Sequence, residues 1–209
     1  MPPSGLTERL ATASGRDVSR ETMARLSAYV GLLKDAAAQQ NLISPSTLET
    51  IWERHILDSA QLLRFAKSNG AWVDIGSGAG LPGIVIAILS SDPITLIEPR
   101  RLRADFLVQT AHALSLSNVS IECAKVERVR GQFEVITARA VAQLDRLLAM
   151  ADHLATSSTL WVLPKGRSAQ SELAQAQLNW HCDASVEQSC TDPESEILVL
   201  TRVGAKKKR

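Results

Sequence analysis

The sequence predicts an α/β fold: a mostly parallel sheet with helices on both faces, preceded by a helical extension. Three observations carry this. The apolar run Ala71–Ile75 enters four glycines within eight residues, Gly76, Gly78, Gly80 and Gly83, and an apolar helix pattern follows over about Leu81–Leu89. From residue 71 onward strand and helix patterns alternate, as in a parallel sheet with helical crossovers. Before residue 70 the apolar residues recur instead at three- and four-residue steps, as on helices.

In the extension, Leu26, Val30, Leu33 and Ala37 mark one face of a helix over about Ser19–Gln40. Asn41–Pro45 breaks it, and Ser46 with Glu49 forms a capping-box signature. The next helix carries Leu48, Ile51, Trp52, Ile56, Ala60 and Leu63 on one side. His55 and Asp58 lie three apart on it and so share a face; a general-acid pair and a packing hydrogen bond are both open. Ser68-Asn69-Gly70 stops the helix. The expected division is an extension over 1–69, a domain over 70–204 and a basic tail over 205–209.

Glycine in the turn after the first strand lets backbone approach a ligand, and Pro82 suits the first turn of the helix, where its missing N–H costs nothing. Strands are then expected at Ile94–Ile97, Val119–Glu122, Phe133–Thr137 and Thr159–Leu163, the last stopping at Pro164. Helices are expected over about Arg100–Leu114, Leu144–Leu154 and Ser168–Leu178. Two final strands near Ala184–Gln188 and Glu196–Arg202, with a turn at Thr191-Asp192-Pro193, read as an antiparallel edge hairpin.

The chain's 209 residues suit one good-sized domain with a smaller appendage. No apolar run is long enough to cross a bilayer, and Met1–Gly5 does not open a secretory signal. Cys123, Cys182 and Cys190 are far apart, with no metal-ligand spacing. These features predict a reduced, cytoplasmic protein without metal; a monomer is expected. Net charge is only +1, and Lys206–Arg209 supply four positive charges, so the rest is net acidic. Affinity for nucleic acid must then come from local clustering.

The glycine turn has two ligand readings, and a turn without a ligand is a third. Gly78–Gly83 matches the G-x-G-x-x-G dinucleotide pattern. The stretch Asp74-Ile75-Gly76-Ser77-Gly78-Ala79-Gly80 resembles the first motif of S-adenosylmethionine-dependent methyltransferases, and the placement of Asp74 favours this cofactor. Glu98 ends the second strand 22 positions after Gly76, where an acid can reach ribose hydroxyls.

Ligands of open parallel sheets bind at the carboxyl ends of the strands. Nine basic residues are expected there: Arg100, Arg101, Arg103, Lys125, Arg128, Arg130, Arg139, Lys165 and Arg167. Such a rim suits phosphates, above all those of a nucleic acid, though small phosphorylated substrates also fit. The Lys206–Arg209 tail is either an RNA contact or a solvated end. After the fourth strand stands Thr137-Ala138-Arg139-Ala140, not the Asn/Asp-Pro-Pro-aromatic loop that grips an exocyclic amine. Cys123 lacks the neighbouring proline expected of a pyrimidine-attacking thiol, and no Lys-Asp-Lys-Glu set for a 2′-hydroxyl is evident. That leaves an acceptor with an available lone pair, such as guanine N7, with Arg139 donating to O6 or to a phosphate.

Several blocks together resemble one family. They are Asn41-Leu42-Ile43, Arg54-His55-Ile56-Leu57-Asp58-Ser59, Val73–Gly83, Lys125-Val126-Glu127, Ala138-Arg139-Ala140 and Leu163-Pro164-Lys165-Gly166. From about Leu26 to Leu173 the chain is similar to the bacterial small-subunit ribosomal RNA guanine-N7 methyltransferase (RsmG or GidB) family. The resemblance implies a Rossmann-like class I S-adenosylmethionine-dependent methyltransferase sheet. It implies methylation of a guanine in the decoding region (530 loop) of 16S rRNA, free or in the small ribosomal subunit. It implies cofactor contacts at Gly76, Gly78, Leu81, Glu98, Val126, Glu127 and Arg139, with Arg139 also catalytic. Arg101, Lys125, Arg139 and Lys165 would face RNA. Two departures stand out: Glu98-Pro99 where many members carry Asp-Ser, and a basic tail that is not a core family feature. An RNA-binding assembly factor with a vestigial cofactor site is the alternative. An NAD-dependent oxidoreductase is opposed by the lack of a Tyr-x-x-x-Lys pair, since Tyr29 is the only tyrosine.

Overall fold

A computed structural model of the chain describes residues 2–37, 48–67 and 70–207. The expected break at Asn41–Pro45, Ser46 of the capping box, and Ser68-Asn69 lie outside the described residues. Helices α1 (Leu6–Ser14) and α2 (Arg20–Ala37) come first. Then follow a π-helical turn (Trp52–Leu57), a single α turn (Asp58–Ala60) and a 3-10 turn (Gln61–Phe65). The sheet elements are β1 (Trp72–Ile75), α3 (Gly83–Leu89), β2 (Ile94–Ile97), α4 (Arg101–Ala113), β3 (Val119–Glu122), β4 (Val135–Ala138), α5 (Leu144–Ala151), β5 (Leu160–Lys165), α6 (Ala169–Ala176), β6 (Trp180–Gln188) and β7 (Glu196–Ala205).

Among the described residues the strands form one sheet of seven, ordered β3-β2-β1-β4-β5-β7-β6. β1 to β5 are parallel; β7 runs antiparallel to both β5 and β6. The order reverses between β1 and β4, the topological switch point where open α/β sheets take their ligands.

Alternation along β1 sorts the core. Trp72 packs with α3 and the N-terminal helices on one face, and Val73 and Ile75 pack with α5 and α6 on the other. Among the described residues the extension shares the core of the sheet: Leu10, Leu26 and Leu63 join one cluster with Ile84 of α3. Tyr29 ties it to the glycine turn, donating its hydroxyl to Ala79 O at 2.8 Å.

Several elements differ from expectation. Helix α1 was not singled out; it lies between Gly5 and Gly15, both left-handed. Helix α3 starts at Gly83, after a cis Leu81–Pro82 bond, so Pro82 is its N-cap residue and not part of its first turn. β5 continues through Pro164 and Lys165 opposite Ile197 and Glu196. The β4 ladder ends at Val162, so one flank of β5 is open beyond it, a setting that tolerates proline. The hairpin strands are longer than expected because β7 is held from both sides. Lys206 N donates to Asn179 O at 2.8 Å, so the start of the basic tail is tied to the sheet.

Candidate active site

The carboxyl ends of β1, β2, β4 and β5 open on one side of the sheet, and two walls rise there. The first is made of backbone. After β1 the chain turns sharply, Gly76 and Ser77 both donating to Ile97 O of β2 at 2.8 and 3.0 Å. Gly76, Gly78 and Gly80 have φ of 68°, 56° and 91°, a left-handed region that favours glycine. Glu98 is buried behind the turn, and its carboxylate accepts Gly78 N and Arg100 N, both at 2.9 Å. Asp74 is fully buried on the face of β1 that meets α3, and it accepts Gly83 N at 3.1 Å. Its other oxygen has no hydrogen-bond partner among the described residues, and burial pushes its carboxyl up to about 7.

The second wall is made of side chains. Arg139 follows β4, and the next residue, Ala140, is left-handed at φ 56°. Arg139 Nη1 donates to Asp58 Oδ2 at 3.3 Å and to Arg54 O at 3.4 Å; Nη2 stands 3.3 Å from His55 Nδ1. Burial first, and then Arg139, push the His55 imidazole down to about 4. On the other flank, Lys165 Nζ donates to Glu172 at 2.8 Å and to Ala142 O at 3.2 Å. The same carboxylate accepts Leu144 N at the start of α5. Burial works to raise the Glu172 pKa, but the bonds from Lys165 and Ser168 outweigh it and hold it below the usual range. A cavity of about 500 Å³ lies against this wall, lined by Arg139, Lys165, Asp58, Glu172 and Glu196 among others.

The predicted residues lie on the segments that follow β1, β2, β3 and β4 and at the end of β5, and of them Arg139 and Lys165 line the cavity. Gly76, Gly78 and Glu98 form the backbone wall. Leu81 is buried at the foot of the turn, and Val126 is buried in a 3-10 turn (Val126–Arg128) after β3, with Glu127 beside it exposed. Lys125 is exposed. Arg101, at the start of α4, pairs with Asp105 at 2.9 Å, and Arg167 pairs with Glu194. With Arg139 and Lys165, at least four of the nine rim cations thus have carboxylate partners among the described residues, and the count of cations overstates the local positive charge. Sequence reasoning did not identify Gln61, Thr191 and Glu172 as part of the wall. For Asp58 and His55 the three-residue spacing was the available signal.

The turn and Glu98 fit a nucleoside cofactor. Each Glu98 oxygen holds one backbone N–H, and a carboxylate offers about four acceptor sites, which leaves capacity for ribose hydroxyls. Among the described residues no group of three or more His, Cys, Asp or Glu is placed to hold a metal, and no helix is long and apolar enough to cross a membrane.

Solved structures share the fold. The ribosomal protein L11 methylase of Lactobacillus delbrueckii subsp. bulgaricus superposes with a TM-score of 0.59 at 14% identity, over 71% of this chain and 78% of that one. The M. jannaschii protein TYW2 in complex with AdoMet gives 0.57 at 14% identity, over 79% and 78%. Sequence relatives are much nearer. A Zymomonas mobilis protein named ribosomal RNA small subunit methyltransferase G is 44% identical over 202 residues, 92% of this chain and 91% of the relative. A protein of the same name from Sphingopyxis alaskensis is 48% identical over 194 residues, 91% and 83%. The family model for rRNA small subunit methyltransferase G, GidB, matches residues 22–198. With the switch-point site in place, that match gives the conclusion that the chain belongs to the rRNA small subunit methyltransferase G family.

Proposed function

We propose that the protein transfers a methyl group from S-adenosylmethionine to N7 of a guanine in the 530 loop of 16S rRNA. It acts on the RNA or on the small ribosomal subunit, as a cytoplasmic monomer. The observation that carries the reading is the pairing of the Gly76–Gly83 turn with Arg139 across the switch point, in a chain of this family. The division into extension (1–69), methyltransferase domain (70–204) and basic tail (205–209) belongs to the same reading.

When bound, S-adenosylmethionine supplies a methyl carbon made electrophilic by its cationic sulfur. Gly76, Gly78, Leu81 and Val126 form the floor that receives it, Glu98 accepts the ribose hydroxyls, and Glu127 reaches from the 3-10 turn. Guanine N7 already carries an in-plane lone pair, so no proton has to leave before attack. The chain's task is alignment and electrostatics, and holding the reactants in line supplies most of the acceleration. Arg139 donates to guanine O6 or to a neighbouring phosphate, and both uses suit its planar fork. Arg101, Lys125 and Lys165 hold RNA phosphates. The nearest imidazole supports an acceptor that needs no base: His55 turns Nδ1 to Arg139, and at a pKa of about 4 it is a weak proton acceptor.

Labelled S-adenosylmethionine incubated with undermodified 16S rRNA and with small subunits is expected to label one guanine. Cofactor binding without label in either RNA overturns the substrate assignment. RNA binding without turnover supports the assembly-factor alternative, and light scattering checks the monomer.

A further inference from the structure

The block Arg54–Ser59 runs from the π-helical turn into the single α turn after it, at least 80 residues before Arg139 in sequence, and supplies three acceptors to its guanidinium. They are Arg54 O, Asp58 Oδ2 and His55 Nδ1, at 3.3 to 3.4 Å. Arginine has no acceptor, so this contact is a hydrogen bond in the tautomer whose Nδ1 is bare and whose ring proton is on Nε2. With both terminal nitrogens bound, the plane of the guanidinium is set. Asp58 is itself over-determined. Its other oxygen accepts Gln61 Nε2 and Thr191 Oγ1, both at 2.9 Å, the second from the loop between β6 and β7. Gln61 is locked in turn, accepting Cys190 N at 2.9 Å and donating to Ser189 Oγ at 3.0 Å. The extension and the hairpin thus meet at one carboxylate, and that carboxylate faces the site. π-Helical turns recur at functional sites, and this one carries Arg54 and His55.

We propose that Asp58 and His55 are positioning residues that set the plane of the Arg139 guanidinium for methyl transfer, with Gln61 and Thr191 holding Asp58 in place. This rests on the role given to Arg139 above. The two side chains keep an opening to solvent, and Asp58 keeps Gln61 and Thr191 as donors when Arg139 is lost, so the effect is expected in the rate. The neutral state of His55 agrees, since a protonated Nδ1 would repel the arginine.

The test is a double-mutant cycle on single-turnover methyl transfer, with thermal melting of every variant. Asp58→Asn keeps an oxygen for Gln61 and Thr191 but turns an N–H toward Arg139. It is expected to slow transfer about 10- to 100-fold in the native background, the scale of a small misplacement at a reacting centre. In the Arg139→Ala background it is expected to cost less than about threefold, the non-additivity of residues acting as a unit. His55→Leu is expected to slow transfer and His55→Asn, which restores an acceptor near Nδ1, to recover part of it. Equal losses from Asp58→Asn in both backgrounds overturn the proposal. So does a fall in melting temperature that accounts for the lost activity. If Arg139→Ala by itself leaves transfer intact, the role of Arg139 fails, and this inference fails with it. A large loss from Arg139→Ala without coupling to Asp58 overturns the inference alone.

Discussion

The two walls of the site are built on different principles. The wall after β1 is backbone held by partners close in sequence: Gly76 and Ser77 donate to the Ile97 carbonyl, Gly78 to the Glu98 carboxylate and Gly83 to the Asp74 carboxylate. The wall after β4 is made of side-chain tips from the π-helical turn, β5, α6 and the hairpin loop, with partners up to 133 residues apart. A backbone wall has little freedom and breaks by losing the fold. A wall of long polar side chains can lose its geometry while the fold survives. Damage to the first should therefore appear in stability, and damage to the second in rate.

The largest expected effect is on the first wall. A Cβ at Gly83 would overlap Leu96 Cδ2 and Asp74 Oδ2 in the fully buried core, so Gly83→Ala should cost about 3 kcal/mol in denaturant unfolding. Activity should fall only as the folded fraction does. Next comes Arg139→Ala, expected to slow methyl transfer about 100-fold or more with the unfolding midpoint almost unchanged. An equal loss of stability would make Arg139 structural and erase the contrast.

The walls also differ in how they answer pH, with opposite sign. The Asp74 carboxyl keeps its proton to about 7 when folded, against about 3.9 for an unperturbed aspartate. Its contribution is full below the unfolded value and is lost as pH rises to about 7. The His55 imidazole titrates near 4 when folded and about 6.5 when unfolded. Its contribution is full above about 6.5 and is lost as pH falls toward 4. Between pH 4 and 6.5, Asp74→Asn should therefore make stability rise more steeply with pH than in the native protein, and His55→Leu should make it rise less. Melting curves across that window decide it, and changes of slope of the same sign in both variants, relative to the native protein, would break the comparison.

The smallest effect lies outside both walls. Gly31 is exposed within α2 with nothing near its Cα side, so Gly31→Ala should stabilise by about 0.5–1 kcal/mol without touching transfer. It calibrates what a glycine costs where no close approach requires it.

The first wall could be read before folding was considered. Ala71–Ile75, the glycine spacing and Glu98 at the end of the next strand are local patterns, and β2 and β3 fall on their predicted residues. The family blocks likewise point to Arg139. The extent of β5 was harder to read, because Pro164 ends a strand by local rules and only the open flank beyond Val162 permits it. The rim was legible as a count of cations but not as a field, since the partners of Lys165 and Arg167 lie on α6 and the hairpin loop.

By itself the sequence determined the alternation of strands and helices from residue 71 onward and the glycine turn after β1. These follow from periodicity and from glycine where backbone must bend. Only the tertiary structure decided what holds Arg139, because a carboxylate and an imidazole of the extension meet it from more than 80 residues away, the carboxylate held in turn by a hydroxyl from the hairpin. Side-chain tips brought together by distant segments depend on how helices sit on the sheet, and that is settled by packing.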